Sequence, residues 1–268
     1  MPESEDIIVV EDLTRTFGDV VAVDHVSFRV HAGEILAFLG PNGAGKSTTI
    51  KMLTTLLRPT SGHMLVAGHD PTRDPNAVRR AFGIVFQDPS LDGELTAYEN
   101  LDFHGVLYHV PRATRRERIP DLLRFVGLWD RRGDQVKQFS GGMKRRLEIA
   151  RGLLHHPRIL YLDEPTLGLD PQTRNQLWEH VRELNRTEGI TVFFTTHYIE
   201  EAEKVAQRVI IIDHGKVKAV GTPEELKAQA GAPTLEEAFL EFTGRTIREE
   251  EATGVDRMRM QARMWKAR

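Results

Sequence analysis

Cysteine is absent from the 268 residues, which excludes a disulfide framework and a thiolate metal site and fits a reducing compartment. A surplus of positive charge is also missing. Lys and Arg number 36 against 39 Asp and Glu, for a formal net charge of -3. General nucleic-acid binding leaves a basic footprint, so no nucleic-acid partner is expected. No apolar run approaches the roughly 18 residues a membrane-spanning helix needs. The longest, Ile7-Ile8-Val9-Val10 and Val209-Ile210-Ile211-Ile212, are strand-sized. Glu3, Glu5 and Asp6 stand where a secretory leader would carry basic residues. The expectation is a chain soluble by itself, so that work at a membrane needs a second chain to supply the span. What is present, 40% hydrophobic and 28% charged residues, is enough for a substantial globular core.

Patterning along the chain switches period several times. Residues 7–13, 20–30 and 34–39 read as strands, with Gly18-Asp19 and His31-Ala32-Gly33 as the turns between them. Alternation over Val26-Ser27-Phe28-Arg29-Val30 suits a half-buried antiparallel strand, whereas the continuously apolar Ile35-Leu36-Ala37-Phe38-Leu39 suits one covered on both faces. A helix is expected over 46–57, ended by Arg58-Pro59-Thr60-Ser61-Gly62, and a buried strand over 83–87. From about 88 to 155 the chain reads as helical (96–109, 114–126, 141–154), an insert that implies a second subdomain. Strands return at 158–163 and 191–196 around a helix at 171–187. A hairpin follows at 209–213 and 216–220, and short helices at 223–229 and 234–243. His155-His156 reads as a helix end, and Arg115-Arg116-Glu117-Arg118 as a solvated helix face. There is no internal repeat.

Gly40-Pro41-Asn42-Gly43-Ala44-Gly45-Lys46-Ser47-Thr48 matches the phosphate-loop spacing, with an apolar strand before it and an amphipathic helix after it. The glycines let backbone wrap phosphates, and the amides from Gly43 to Ser47 with the helix N-terminus favour an anion. Lys46 is expected to reach the β- and γ-phosphates of ATP, and Ser47 to ligate Mg²⁺. Ile159-Leu160-Tyr161-Leu162-Asp163-Glu164 is an apolar strand ending in two carboxylates. Successive strand residues point oppositely, so the two acids should have different tasks: Asp163 to hold Mg²⁺ through water, Glu164 to polarise the attacking water as general base.

Ser140-Gly141-Gly142-Met143 resembles the signature loop of ABC (ATP-binding cassette) ATPases. Ser140 suits an N-cap, and two glycines permit close approach. The common family pattern is L-S-G-G-Q; here Phe139 and Met143 stand at the outer positions, and Met143 cannot donate as Gln does. The resemblance spans roughly residues 7–230 and implies further roles. Gln87 resembles the Q-loop residue that senses Mg²⁺ and touches the transmembrane partner. Asp170 in Gly168-Leu169-Asp170 resembles the D-loop acid that crosses a dimer interface, and His197 the switch histidine at the γ-phosphate. Phe17 stands in the place of the aromatic that stacks on adenine. In that family Ser140, Gly141 and Gly142 of one copy face the nucleotide held by Gly40, Asn42, Gly43, Ala44, Gly45, Lys46, Ser47 and Thr48 of another.

The implied fold is α/β: a P-loop NTPase core with a mixed sheet, an N-terminal antiparallel β-subdomain and an inserted α-helical subdomain. Residues 1–230 would form the nucleotide-binding domain, and 231–268 a short helical extension with a mobile tail. That tail, from Arg257-Met258-Arg259-Met260 to Met264-Trp265-Lys266, mixes basic and apolar residues and suits an anionic membrane surface, a partner or a frayed end. Because the motifs occur once, the implied partners are a second copy, head to tail, and a separate transmembrane permease, at the cytoplasmic face of the membrane. Phe139-Ser140-Gly141-Gly142-Met143-Lys144-Arg145-Arg146-Leu147, the ending Leu235-Glu236-Glu237-Ala238-Phe239-Leu240 and Thr243-Gly244-Arg245 most resemble ATP-binding subunits of bacterial drug exporters of the daunorubicin-resistance type (ABC-2 class). The cargo implied is a drug, lipid or other amphiphile. A soluble ABC ATPase acting on a cytoplasmic assembly and an importer subunit stay open as alternatives.

Overall fold

The computed structural model describes residues 5–244; the tail expected beyond 244 lies outside them. The chain opens with two long antiparallel strands, β1 (Asp6–Phe17) and β2 (Val20–His31), turning at Gly18-Asp19. β2 is buried at alternate positions from Val26 to Val30, as its sequence alternation requires. A third strand, β4 (Ser61–Val66), pairs antiparallel with β1, giving the order β2-β1-β4.

The main sheet has six strands. Five run parallel: β3 (Ile35–Leu39), β5 (Phe82–Val85), β6 (Ile159–Asp163), β7 (Thr191–Thr196) and β8 (Arg208–Asp213). β9 (Lys216–Gly221) returns antiparallel to β8, and the order is β5-β6-β7-β3-β8-β9. β3, β6 and β7 are buried at every residue, so each sends alternate side chains into two cores. Leu36, Phe38, Tyr161, Phe193 and Ile210 point toward the antiparallel sheet and α1 (Lys46–Leu53). There Phe28, Phe38 and Phe193 form a ring cluster with centroids 5.5 to 6.0 Å apart. Ala37, Leu39, Leu160, Leu162, Phe194 and Ile211 point the other way, toward α3 (Ala97–Leu107), α4 (Arg112–Phe125), α5 (Gly141–Leu153) and α6 (Pro171–Glu188).

α3, α4 and α5 come between β5 and β6 in sequence, although those strands pair directly. α5 lies so close on β5 that a Cβ on Gly83 would stand 2.2 Å from the Gly152 carbonyl; only glycine permits that approach. α7 (Ile199–Val205), α8 (Pro223–Ala230) and α9 (Leu235–Thr243) complete the described chain.

β1 runs on to Phe17 rather than 13, β5 ends at Val85 rather than 87, and three further details differ from the sequence reading. α1 ends at Leu53 rather than 57. Thr54 bonds its hydroxyl back to the Ile50 carbonyl at 2.7 Å, Thr55 turns to φ 65, and the Leu56 and Leu57 amides fold back on Lys51. A hydroxyl competing for helical carbonyls and a left-handed residue stop the helix a turn early. β4 and α2 (Pro75–Ala81, capped by Asp74) lie between the helix stop at 58–62 and the strand expected at 83–87, largely in a stretch to which the sequence reading assigned no element. The basic run of α4 is also not simply solvated. Arg115 pairs with Asp102 at 2.8 Å, and Arg118 donates to the Leu153 carbonyl at 2.9 Å.

Candidate functional site

Neighbouring parallel strands β5, β6, β7 and β3 all end at one edge of the main sheet. Sheets of this kind bind ligands outside the carboxyl ends of their strands. Out of those four ends come Gln87, Asp163-Glu164, His197 and the loop Gly40 to Thr48. Residues distant in sequence thus meet because their strands are adjacent.

The loop after β3 enters α1 through Gly45, at φ 104 and without any side-chain cap. A Cβ there would stand 2.5 Å from the Ala22 carbonyl of β2, so the position admits only glycine. First-turn amides of α1 are left for an incoming acceptor, the ordinary anion site of a helix start. Lys46, 5% exposed, holds its ammonium against its own loop: the Gly40 carbonyl at 2.9 Å, the Pro41 carbonyl at 3.1 Å and Glu164 Oε1 at 3.2 Å. Burial pulls the Lys46 ammonium below its ordinary pKa, against the opposing charge of Glu164.

Asp163, the last residue of β6, accepts from Thr195 Oγ1 at 2.6 Å and Ser47 Oγ at 3.1 Å. Burial pushes its carboxyl up despite these hydroxyls. A hydroxyl and a carboxylate meeting at that distance are hard oxygen donors. They suit Mg²⁺, which takes few protein ligands and leaves other positions to phosphate and water. Among the described residues no cluster of three His, Asp or Glu side chains is spaced to hold a metal alone.

Glu164 departs from strand alternation. Its φ is 47, while its amide still bonds the Thr195 carbonyl at 3.2 Å and Oγ1 at 3.0 Å. The left-handed backbone brings its carboxylate to Lys46 when strict alternation would turn it away. Its carboxyl is subject to burial, which raises it. The nearby His197 and the Lys46 charge outweigh that and hold it below its ordinary value. His197 Nδ1 lies 3.4 Å from Glu164 Oε1, and the ring packs on Tyr198 at 4.1 Å.

Phe17 ends β1 and is 46% exposed, so it is not a core residue. One face carries the Arg15 guanidinium, 4.5 Å from the ring centroid. Gln87 is exposed, two residues past β5, and its carbonyl accepts from Arg145 Nη2 at 3.0 Å.

Ser140 caps α5, accepting from the Met143 amide at 3.3 Å. Ser140 and Gly141 are exposed and Gly142 is buried. A Cβ on Gly142 would stand 2.4 Å from Thr173 Cγ2, so this glycine is needed for helix packing inside the chain. Met143 packs its side chain on the core. Asp170 is the N-cap of α6, accepting from the Thr173 amide at 3.0 Å and hydroxyl at 2.6 Å. Signature loop and Asp170 segment therefore meet at Thr173.

Sequence reasoning missed a second tier. Buried Glu201 of α7 accepts from Thr166 Oγ1 at 2.6 Å and Thr196 Oγ1 at 3.0 Å, joining the segment after Glu164 to the residue before His197. Nothing in the sequence marks Glu201, one of a Glu200-Glu201 pair on a short helix.

The model of the ABC transporter family matches residues 23–167. The daunorubicin/doxorubicin resistance ATP-binding protein DrrA of Streptomyces peucetius is 48% identical over 223 residues, 83% of this chain and 67% of the relative. The linearmycin resistance ATP-binding protein LnrL of Bacillus subtilis is 42% identical over 84% of this chain and 72% of its own length. Among solved structures, an ATP-binding subunit of an ABC transporter superposes with TM-score 0.80 at 34% identity, covering 88% of this chain and 99% of that one. The dimeric MJ0796 cassette with ADP and Pi gives 0.72 at 28% identity, over 80% and 98%. With the phosphate loop, Gln87, Asp163-Glu164 and His197 at one sheet edge and these relatives beside it, the chain belongs to the ABC transporter family, as one of its ATP-hydrolysing subunits.

Proposed function

We propose that the chain powers an exporter of drugs, lipids or other amphiphiles by closing head to tail on a second copy around ATP. The observation that carries the dimeric reading is that Ser140 and Gly141 stand exposed at the start of α5, while Lys46, Asp163 and Glu164 are buried together on the sheet edge. A helix start with outward amides is an anion site without an anion-binding loop of its own. A γ-phosphate held by another copy would complete it.

In this reading Phe17 stacks on the adenine, and the amides from Gly43 to Thr48 surround the phosphates. Gly40 and Asn42 shape the approach. Lys46 gives up the carbonyls of Gly40 and Pro41 for the phosphate oxygens, freeing Glu164 to take the proton of the attacking water. His197, beside Glu164, steadies the γ-phosphate. Ser47, Asp163 and Gln87 would hold Mg²⁺, which neutralises charge on the phosphate oxygens. Asp170 lies at the interface, where it reports the state of one site to the other.

Among the described residues no helix is long and apolar enough to cross a membrane; in this reading a separate permease supplies the span and the chain works at the cytoplasmic face. Phe103, Val106 and Leu107 leave one side of α3 apolar and exposed, chemistry that suits such a docked partner. The relatives are named for resistance to daunorubicin, doxorubicin and linearmycin, which supports export of bulky amphiphiles.

The test is purification of the tagged chain from its own cells in mild detergent, followed by ATPase assays with amphiphiles. Stoichiometric recovery of a multi-span protein whose turnover rises with an amphiphilic drug is the expected result. Recovery with a soluble assembly, or with a solute-capturing import protein, would overturn the export reading.

A further inference from the structure

Charged side chains in a helix interior need a reason when they are buried. α5 carries Arg145, Glu148 and Arg151 at three-residue spacing, along one face. Arg145 is 5% exposed and Glu148 0%. Burying such groups is costly unless every charge and donor is paired. Here the partners converge on one short stretch, residues 86–90.

Arg145 Nη1 donates to the Phe86 carbonyl and Nη2 to the Gln87 carbonyl at 3.0 Å. Glu148 Oε1 accepts the Ser90 amide at 2.8 Å. Arg151 donates to the Ser90 carbonyl at 2.7 Å and its hydroxyl at 2.5 Å. Arg145 and Glu148 close the set across 3.2 Å. Residues 87–90 are exposed and belong to no helix or strand. What fixes them is this face of α5.

The chemistry explains the choice of residues. A loop with no ladder partner leaves carbonyls open, and a guanidinium fork can take two at once. One carboxylate between two arginines offsets part of their charge and accepts the Ser90 amide. Arg145 is also near enough to Asp163 for its charge to act there. Five residues upstream on the same helix stands Ser140, within about 7.5 Å at helical rise.

We infer that Arg145, Glu148 and Arg151 form a yoke that makes the Gln87 segment and the signature loop move as one body, so that displacement at Gln87 sets where Ser140 and Gly141 stand. The three are positioning residues, and the inference rests on the proposed reading of Gln87 and Ser140. It gives this dimeric ATPase a route from the permease side of the chain to the partner's γ-phosphate without passing through the P-loop.

Hydrogen exchange on the full chain, alongside ATPase kinetics, tests it with Glu148→Gln and Arg145→Gln. Exchange is expected to quicken together at 86–90 and 140–144, with residues 40–48 unchanged. At the same time kcat should fall about tenfold with KM for ATP held within about twofold. The double variant should be no worse than either single one, because the residues act as a unit. Faster exchange at 86–90 alone would overturn the yoke. So would exchange rising throughout the chain with KM and kcat deteriorating together, the mark of a merely structural role. The exchange result needs no permease and no second copy. Coupled exchange with an unchanged kcat would overturn the claim that the yoke serves hydrolysis.

Discussion

Two helices of the chain, α1 and α5, both begin with glycine in or beside their first turn, yet their surroundings differ. Around the start of α1, Lys46, Ser47, Asp163 and Glu164 bond to one another or to their own loop. At the start of α5, the Ser140 hydroxyl accepts the Met143 amide within its own helix, and Gly141 is exposed. Behind that exposed turn the packing is tight, with Gly142 against Thr173 and the Arg145 cluster beneath. A loop that is exposed in front and rigid behind is shaped to meet something outside the chain. In the proposed reading, α1 is the half-site that holds nucleotide and α5 the half-site that closes on it from another copy.

Substitutions that injure one half and spare the other sharpen this contrast. Glu164→Gln keeps the shape and removes the base. Phosphate release at saturating ATP should fall about 10²- to 10⁴-fold while ATP is still bound; near-normal turnover would refute the role of Glu164. Ser140→Arg blocks the α5 start. Turnover should drop about a hundredfold, yet equilibrium titration of the dilute chain should show ATP affinity within about twofold of normal. Parallel loss of affinity would erase the distinction between the halves.

Gly142→Ala attacks the rigid backing. Its Cβ needs space held by Thr173 Cγ2, so urea unfolding should show a loss of about 1 to 3 kcal/mol. Thr173→Ser, which removes that methyl and keeps the hydroxyl on Asp170, should restore most of it; no restoration would mean the contact is not the cause. On the α1 side, Phe17→Ala should weaken ATP binding about tenfold through lost stacking, with Phe17→Tyr within about threefold. Equal losses in both would exclude the ring.

The smallest effect concerns acid–base balance. Asp163 has its pKa raised by burial, so its ionised form costs stability at neutral pH. That cost disappears as pH falls below the ordinary carboxylate value. Asp163→Asn should therefore raise Tm by a few degrees near pH 7, and the gain should shrink toward pH 4. Glu164, shifted the opposite way, contributes stability that is lost on acidification. A gain for Asp163→Asn that grows at low pH would contradict the assignment.

Much of the first half-site was legible because it is local. Gly40 to Thr48 is one contiguous string, and β3 and the Ile159-Leu160-Tyr161-Leu162 part of β6 read as apolar runs because they are covered on both faces. Legibility failed where meaning depends on distant partners. Arg145 and Glu148 look like surface charges in any window of sequence. Only the return of residues 86–90 across α5 buries them. Thr166, Thr196 and Glu201 are joined over 35 and 5 positions, a geometry no periodicity encodes. Gly142 read as a nucleotide contact, and the packing on Thr173 gives it a task within the chain as well. The early end of α1 was hidden because Thr54 and Thr55 are tolerable helix residues until their hydroxyl and backbone find other partners.

The central claim is that two half-sites on separate copies make one catalytic unit, and sedimentation of the Glu164→Gln chain addresses it most directly. The single chain is 30.4 kDa. With Mg²⁺ and ATP the mass should double, it should return to that of one chain in ADP, and adding Ser140→Arg should abolish the doubling. A mass of one chain in ATP, or a dimer indifferent to Ser140→Arg, would contradict the account.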